Sequence, residues 1–359
     1  MDRVRRPSAK LEGLTPYDPK YLPAEAMLSA NENPRDVSEE LRQKIEAAVR
    51  EVVFNRYPDP LANDLRDAIA EANGLDREHV LVGNGGDELL FNTALAWGGP
   101  GRTFLNLPPT FSVYAANARL TDTDVLDIPR LADQDFTIDE EAVLRAVSGP
   151  DSQVDFTIIA SPNNPTGLRA RMEFLQELLA ATDALVMVDE AYFEFSRQTM
   201  RPHLEANKNL VILRTFSKAF SLAGVRVGYI LGHPDVIREY LKVRQPYSVD
   251  AVSQAIARVI YQNRAEFEPG INAIIAERER LTGALGALPG VHAYPSHANW
   301  VLFRVPEAAR VWQGLYDAGI LVRDFSTAPG LEGTLRVTVG TPEENDAFLN
   351  ALRKEIRHG

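Results

Sequence analysis

The stretch LVILRTFSKAFSLAGVRVG, residues 210–228, decides the fold and carries Lys218 near its centre. Its first four residues, Leu210, Val211, Ile212 and Leu213, form an apolar run typical of a buried strand, and Thr215, Phe216, Ser217 and Lys218 follow closely. A lysine just beyond a buried strand is a candidate Schiff-base amine, because desolvation shifts its pKa and the neutral amine condenses with carbonyls. Arg226 adds a fixed positive charge further on, while Ser217, Ser221 and Gly224 offer hydroxyls and close backbone approach. The set suits an aldehyde cofactor that carries a phosphate. A Ser-Lys pair alone would more simply be a solvated loop, so the weight falls on the rest of the chain.

Outward from this stretch, short apolar runs alternate with amphipathic helices, the pattern of an α/β fold with a largely parallel sheet. Upstream, ALVMVDEAYFEF (184–195) gives a strand over 185–188 closed by Asp189, Glu190 and Tyr192. A carboxylate at the end of four apolar residues is costly unless paired, and a protonated ring nitrogen would pair it. VDFTIIASPNNPTG (154–167) is a strand over 156–160 that ends in a polar loop with Asn163, Asn164, Pro165 and Gly167. A strand over 103–107 runs into PPTFSVY (108–114), whose Phe111 either plugs the core or stacks on a flat ligand. HVLVGNGGDELLFNTALAW (79–97) is strand, glycine loop and helix, with the loop over 83–87. Such a loop serves either as a tight turn or as an anion site at a helix N-terminus. Glu88 stands where a Rossmann fingerprint has its third glycine, and no Lys-Ser/Thr follows as in a P-loop. Together these strands end in polar or glycine motifs, and open parallel sheets bind ligands outside the carboxyl ends of their strands.

Residues 1–30 are rich in proline and tyrosine and read as an extended arm. In SANENP (29–34), Asn31 and Asn33 either cap the next helix or face a ligand. Helical spacing covers 37–53, NRYPDP (55–60) exposes Tyr57, and a helix over 61–73 is stopped by Gly74. Beyond Pro234 the pattern changes to helices over 234–244, 251–261 and 268–288, the last long enough to bridge two domains. The tail, VHAYPSHANWVLFRV (291–305), a helix over 308–318, ILVRDF (320–325), GTLRVTVG (333–340) and a closing helix, reads as an α+β domain. Arg323 and Arg336 stand in its strand patterns, where an arginine commonly faces solvent. The expected organisation is an arm (1–30) packing on the small domain or a partner subunit, a large α/β domain (31–245) and a small α+β domain (246–359).

A chain of 359 residues with 45% hydrophobic content supports about two domains, each with a full core. Against 50 acidic residues there are 38 basic ones, a net charge of −12, which argues against nucleic acid as a primary partner. No apolar run approaches the roughly 20 residues that span a bilayer, and the N-terminal stretch lacks the apolar core of a secretory signal. The absence of cysteine excludes disulfides, thiol nucleophiles and thiolate metal sites, and fits a reducing, cytoplasmic setting. The six histidines are scattered without metal-ligand spacing, so no metal is expected.

Nearly end to end, the motifs ANENP, RYPDP, GNGGDE, PPTF, SPNNPTG, VDEAYFEF, RTFSKAFSLAGVRVGY and LRVTVGTPEEN resemble those of fold-type I aminotransferases dependent on pyridoxal phosphate. Within that group the chain is most similar to the histidinol-phosphate aminotransferases. The resemblance implies a mostly parallel central sheet with flanking helices plus a smaller α+β domain. It implies that Lys218 is the Schiff-base and proton-shuttling lysine, that Asp189 pairs with the pyridine nitrogen, and that Tyr192 and Asn164 bond the ring 3-hydroxyl. Gly85, Gly86, Asp87, Thr215, Ser217 and Arg226 would hold the cofactor phosphate, with Tyr57 reaching it from a neighbouring subunit and Phe111 stacking on the ring. Arg323 and Arg336 would bind the substrate anion beside Tyr17, Asn31, Tyr57 and Asn164. Phe111 departs from the family's usual tyrosine and keeps the ring face without the hydroxyl. Gly86 stands where serine or alanine is common, a change that a site made of backbone amides tolerates. The implied reaction is transamination of L-histidinol phosphate with 2-oxoglutarate by a cytoplasmic homodimer with shared sites. Aromatic amino-acid transamination and threonine-phosphate decarboxylation are the alternatives on the same machinery, and a non-catalytic protein of this fold is a third.

Overall fold

Twelve strands among the described residues build two sheets: β1 (Ala26–Leu28), β2 (Val80–Gly83), β3 (Thr103–Asn106), β4 (Asp124–Asp127), β5 (Val154–Ala160), β6 (Leu185–Asp189), β7 (Leu210–Thr215), β8 (Gly228–Gly232), β9 (His292–Ala293), β10 (Trp300–Arg304), β11 (Ile320–Asp324) and β12 (Thr334–Thr338). The structure is a computed structural model that describes residues 22–149 and 152–357, with Ser8, Leu11, Pro16 and Asp18. The larger sheet has the order β2-β8-β7-β6-β5-β3-β4. All its neighbouring pairs are parallel except those of β8, which runs antiparallel to both β7 and β2. Six of its strands therefore run in one direction and end along one edge, where Gly83, Asn106, Asp127, Ala160, Asp189 and Thr215 lie. The smaller sheet has the order β1-β11-β12-β10-β9. Its edge strand comes from the end of the stretch expected as an arm, with Ala26, Met27 and Leu28 pairing in parallel with Ile320, Leu321 and Val322.

Central strands buried on both faces need continuous apolar runs rather than alternation, and β6 and β7 are buried throughout. Their side chains still divide with a period of two. Val186, Val188, Leu210 and Ile212 join the apolar cluster that continues into the small sheet. Leu185, Met187, Val211 and Leu213 join a second cluster on the opposite face. This alternation fixes where the residues at the strand ends point.

The flanking helices start and stop on local chemistry. Ser38 accepts from the Leu41 N–H at 3.2 Å and caps the helix Glu39–Arg50. Gly74, with φ +62°, closes the helix Asn63–Asn73 in the left-handed region. The long helix Glu268–Gly286 packs on β9, β10 and the closing helix Pro342–Arg357, and also touches Phe193–Ser196 beyond β6. It thus contacts both sheets' surroundings. No helix among the described residues is long and apolar enough to cross a membrane.

Candidate active site

A cavity of about 1110 Å³ opens over the carboxyl edge of the parallel strands, and part of its lining comes from the small sheet. Lys218 follows β7 directly, is half-buried, and donates from Nζ to the Ala30 backbone oxygen at 3.0 Å. Burial, helped by the Arg336 and Arg226 guanidiniums and opposed by Glu32 and Asp87, pushes its amine down to about 8. Asp189 closes β6 and is buried. Its Oδ2 accepts from the Tyr114 hydroxyl at 2.6 Å, and its Oδ1 accepts from the Ala191 N–H at 3.0 Å. Burial, reinforced by the Asp87 and Glu190 charges, pushes the carboxyl up to about 6 against these two hydrogen bonds. Each carboxylate oxygen has a second lone pair, so a cavity-facing donor can still be accepted.

One end of the cavity is built for an anion. The helix Gly85–Trp97 begins here, and the N–H groups of its first turn have no intrahelical partner. Thr215 and Ser217 bring buried hydroxyls 3.1 Å apart at the end of β7. Arg226 donates to Asp87 Oδ2 at 3.1 Å, to Ala223 O at 3.2 Å and to Ser217 Oγ at 3.5 Å. Two glycines make this approach possible. Gly85 has φ +72°, and a Cβ there would stand 2.7 Å from Arg226 Nη2. A Cβ on Gly228 would lie 2.8 Å from both Gly85 C and Gly86 N. Amides, hydroxyls and a guanidinium together are the donor set that a phosphate monoester requires.

Residues of the small sheet tie down the opposite wall. The Asn31 side-chain amide donates to the Tyr192 hydroxyl at 3.1 Å, while its backbone N–H donates to Thr338 Oγ1 at 3.0 Å. Trp300 packs edge-on against Tyr192 at 4.5 Å and donates from Nε1 to Pro165 O at 2.8 Å. Arg336, buried in β12, donates to Asn164 Oδ1 and, at 2.7 Å, to Ser29 O. Arg323 lines the same space and donates to Asp18 O at 3.1 Å. Asn163 is wholly buried and fastens its loop to the Phe111 loop through Pro109 O at 3.0 Å and the Thr110 hydroxyl at 2.7 Å. That leaves Asn164 to face the cavity.

Of the residues singled out in the sequence, Asn31, Gly86, Asp87, Phe111, Asn164, Asp189, Tyr192, Thr215, Ser217, Lys218, Arg226, Arg323 and Arg336 line this one cavity. Gly85 stands behind the lining and contributes its backbone conformation. Tyr57 does not reach this chain's cavity: it is 80% exposed and stacks on Tyr247 at 4.5 Å. Tyr17 lies outside the described residues. Asn31 is not a helix cap, since Ser38 takes that position. Sequence reasoning missed Tyr114, although its spacing of one helical turn from Phe111 was a usable signal. It also missed Trp300 and the buried pair Glu190–Arg214, which depend on contacts distant in sequence.

Residues 26–352 match the family model for aminotransferase class I and II. The chain is 41% identical over 340 residues to histidinol-phosphate aminotransferase 1 of Carboxydothermus hydrogenoformans, covering 94% of this chain and 95% of that one. Its fold superposes with a TM-score of 0.88 on histidinol-phosphate aminotransferase from Sinorhizobium meliloti, solved with pyridoxal-5'-phosphate, at 24% identity over 99% and 98% of the two chains. L-threonine-O-3-phosphate decarboxylase from Porphyromonas gingivalis superposes with a TM-score of 0.80 at 27% identity, over 92% of this chain and 99% of that one.

Proposed function

The chain belongs to the aminotransferase class I and II family, and we propose that it moves the amino group of L-histidinol phosphate to 2-oxoglutarate, giving imidazole acetol phosphate and L-glutamate. The observation that carries this reading is one cavity in which the Lys218 amine lies under the influence of two guanidiniums, Arg226 beside the glycine-loop anion site and Arg336 from the small sheet. A phosphorylated cofactor and an anionic substrate need two such anion sites.

Pyridoxal 5'-phosphate is the cofactor, and when bound it supplies the electron sink for the bond broken at the substrate α-carbon. The donor set around Gly86, Asp87, Thr215, Ser217 and Arg226 suits its phosphate. Asp189 suits its ring nitrogen, Tyr192 and Asn164 its ring hydroxyl, and Phe111 its ring face. In this reading Asp189 keeps the ring nitrogen protonated, because an opposite charge in contact favours the charged form. Lys218 Nζ would take up and hand back the proton exchanged at the substrate α-carbon, and an amine lowered to about 8 is suited to that exchange near neutral pH. Arg336 and Arg323 hold first a phosphate monoester and then a dicarboxylate, a task that fits the planar fork of arginine.

The proposal extends to a cytoplasmic homodimer in which the partner subunit's Tyr57 completes the phosphate site. Its support is the exposed apolar set Val53, Phe54 and Tyr57, which lies apart from this chain's own cavity. A fully active monomer in light scattering at assay concentration would contradict it. The division into an arm, a large domain over 31–245 and a small domain over 246–359 belongs to the same reading.

Steady-state kinetics with alternative donors tests the substrate. Histidinol phosphate should exceed histidinol in kcat/KM by about thirtyfold or more, the worth of a charge-assisted contact to a bound anion. Faster turnover of phenylalanine or tyrosine would replace the reading with aromatic transamination, and carbon dioxide release from threonine phosphate would replace it with decarboxylation. Borohydride reduction of cofactor-loaded protein followed by peptide mapping should mark Lys218, and a mark on any other lysine would remove its role.

A further inference from the structure

The loop that presents Phe111 to the cavity also supplies the only side chain hydrogen-bonded to Asp189 among the described residues. Tyr114 is 2% exposed and is the second residue of its helix, Val113–Leu120, one turn after Phe111, with its backbone N–H bonded to Phe111 O at 3.1 Å. The two rings meet edge to face at 5.6 Å. From there the Tyr114 hydroxyl donates to Asp189 Oδ2 at 2.6 Å, a short, charge-assisted bond. Its ring belongs to the apolar cluster of Leu81, Phe104, Phe156, Met187 and Leu213, so the hydroxyl is held in place by packing.

We infer that Tyr114 is a positioning residue that fixes the orientation of the Asp189 carboxylate and keeps it ionised for the cofactor ring nitrogen. The inference rests on the reading that Asp189 serves that nitrogen. Three features support it. The hydroxyl bonds the charged form of the carboxylate and so counteracts the burial that favours the neutral form. Burial and the adjacent carboxylate push the phenol itself well above 10, so it remains a donor at every working pH. Finally, one rigid turn carries both the ring that faces the cofactor and the donor that orients its counter-charge, so the two are set relative to one another. The charged and titratable groups that face the pair are Asp87 from the helix Gly85–Trp97, Glu190 beside Asp189, and Tyr192 and Arg130 near the phenol. None of these takes over the hydrogen bond to Oδ2.

Tyr114→Phe removes the hydroxyl and keeps the ring. In cofactor-free protein labelled with ¹³C-aspartate, the Asp189 carboxyl should titrate about one unit higher in the variant, the shift expected from losing a hydrogen bond to a charged group. In cofactor-loaded protein kcat should fall about tenfold with little change in KM, and the acid limb of the kcat profile should move the same way. An unchanged Asp189 titration would overturn the inference, because a merely structural tyrosine would not move it. A double-mutant cycle separates the causes: in an Asp189→Asn background, Tyr114→Phe should have no further effect on kcat, and a full tenfold loss there would also overturn it. If the variant folds poorly, that cycle is read on single-turnover rates of the folded fraction. Should Asp189→Asn alone leave turnover intact, the role of the aspartate would fail while the titration still reported on the tyrosine.

Discussion

At the carboxyl end of β6 two successive carboxylates are used in opposite ways. Asp189 continues the face of Leu185 and Met187 and lines the cavity. Glu190 falls on the other face and is 1% exposed. Its Oε2 accepts from Arg214 Nε at 3.0 Å and from the Thr199 hydroxyl at 2.8 Å, and its Oε1 from the Met200 N–H at 2.6 Å. Arg214 is fully engaged as well, donating to Asn73 Oδ1 at 3.1 Å and Thr199 Oγ1 at 2.8 Å and lying 3.7 Å over the Phe193 ring. Glu190 has found an ionic partner in Arg214, whereas Asp189, among the described residues, has only two neutral donors and is pushed up to about 6. Under the proposed function Asp189 is held for a charge that arrives with the cofactor, whereas Glu190, paired with a buried guanidinium, is a fastening.

The strongest way to break this contrast is Asp189→Asn. An amide cannot hold the ring nitrogen protonated, so single-turnover rates should fall about a thousandfold or more while cofactor still binds. Near-normal rates would make the aspartate structural and erase the distinction. Glu190→Ala should behave inversely: leaving Arg214 buried and unpaired costs about 3–5 kcal/mol, which urea unfolding reads directly. A loss below about 1 kcal/mol, the scale of an exposed pair, would show that the fastening is illusory.

A third test sharpens the difference through pH. The folded-state pKa of Asp189 stands above its ordinary 3.8, at about 6, so the folded state holds the extra proton in that window. Stability should therefore fall as pH rises through it. Cofactor-free wild type compared with Asp189→Asn should lose up to about 3 kcal/mol relative to the variant between acid and neutral pH. A flat difference would mean that burial does not tax the carboxylate. The smallest expected effect carries the contrast to arginine. Arg336 is about as buried as Arg214 but lines the cavity, where it donates to Asn164 Oδ1 and Ser29 O. Arg336→Ala should remove most of the preference for histidinol phosphate over histidinol, about 2 kcal/mol or roughly thirtyfold in kcat/KM. An unchanged ratio would move the substrate anion elsewhere.

Much of this was legible in the chain because apolar runs and punctuating residues act locally. The strands ending at Ala160, Asp189 and Thr215, the helix stop at Gly74 and the cavity-facing set around Lys218 all follow from short-range patterns. The strand Asp124–Asp127 was not legible, since an edge strand exposed at three of its four residues carries no apolar run. Nor was the reversed direction of β8, because a five-residue apolar strand reads the same either way. Glu190 and Arg214 meet only because the β6–β7 register aligns Asp189 with Leu213, putting the next residue of each strand on the same face. Tyr114 was visible as a residue but not as a partner of Asp189, and no spacing rule connects a helix start after β3 to β6, two positions across the sheet.

The contact of Gly228 with the glycine loop has a consequence for which sequences this fold can accept. Its missing side chain faces backbone atoms, Gly85 C and Gly86 N, rather than a flexible tip that could swing away. Even alanine would press the loop off β8, so in a saturation library selected for cofactor retention position 228 should return glycine alone, whereas Gly270, outside the cavity and with open space around it, should accept many residues. A single methyl group there would be read as loss of the phosphate site, without any change to a residue that touches phosphate.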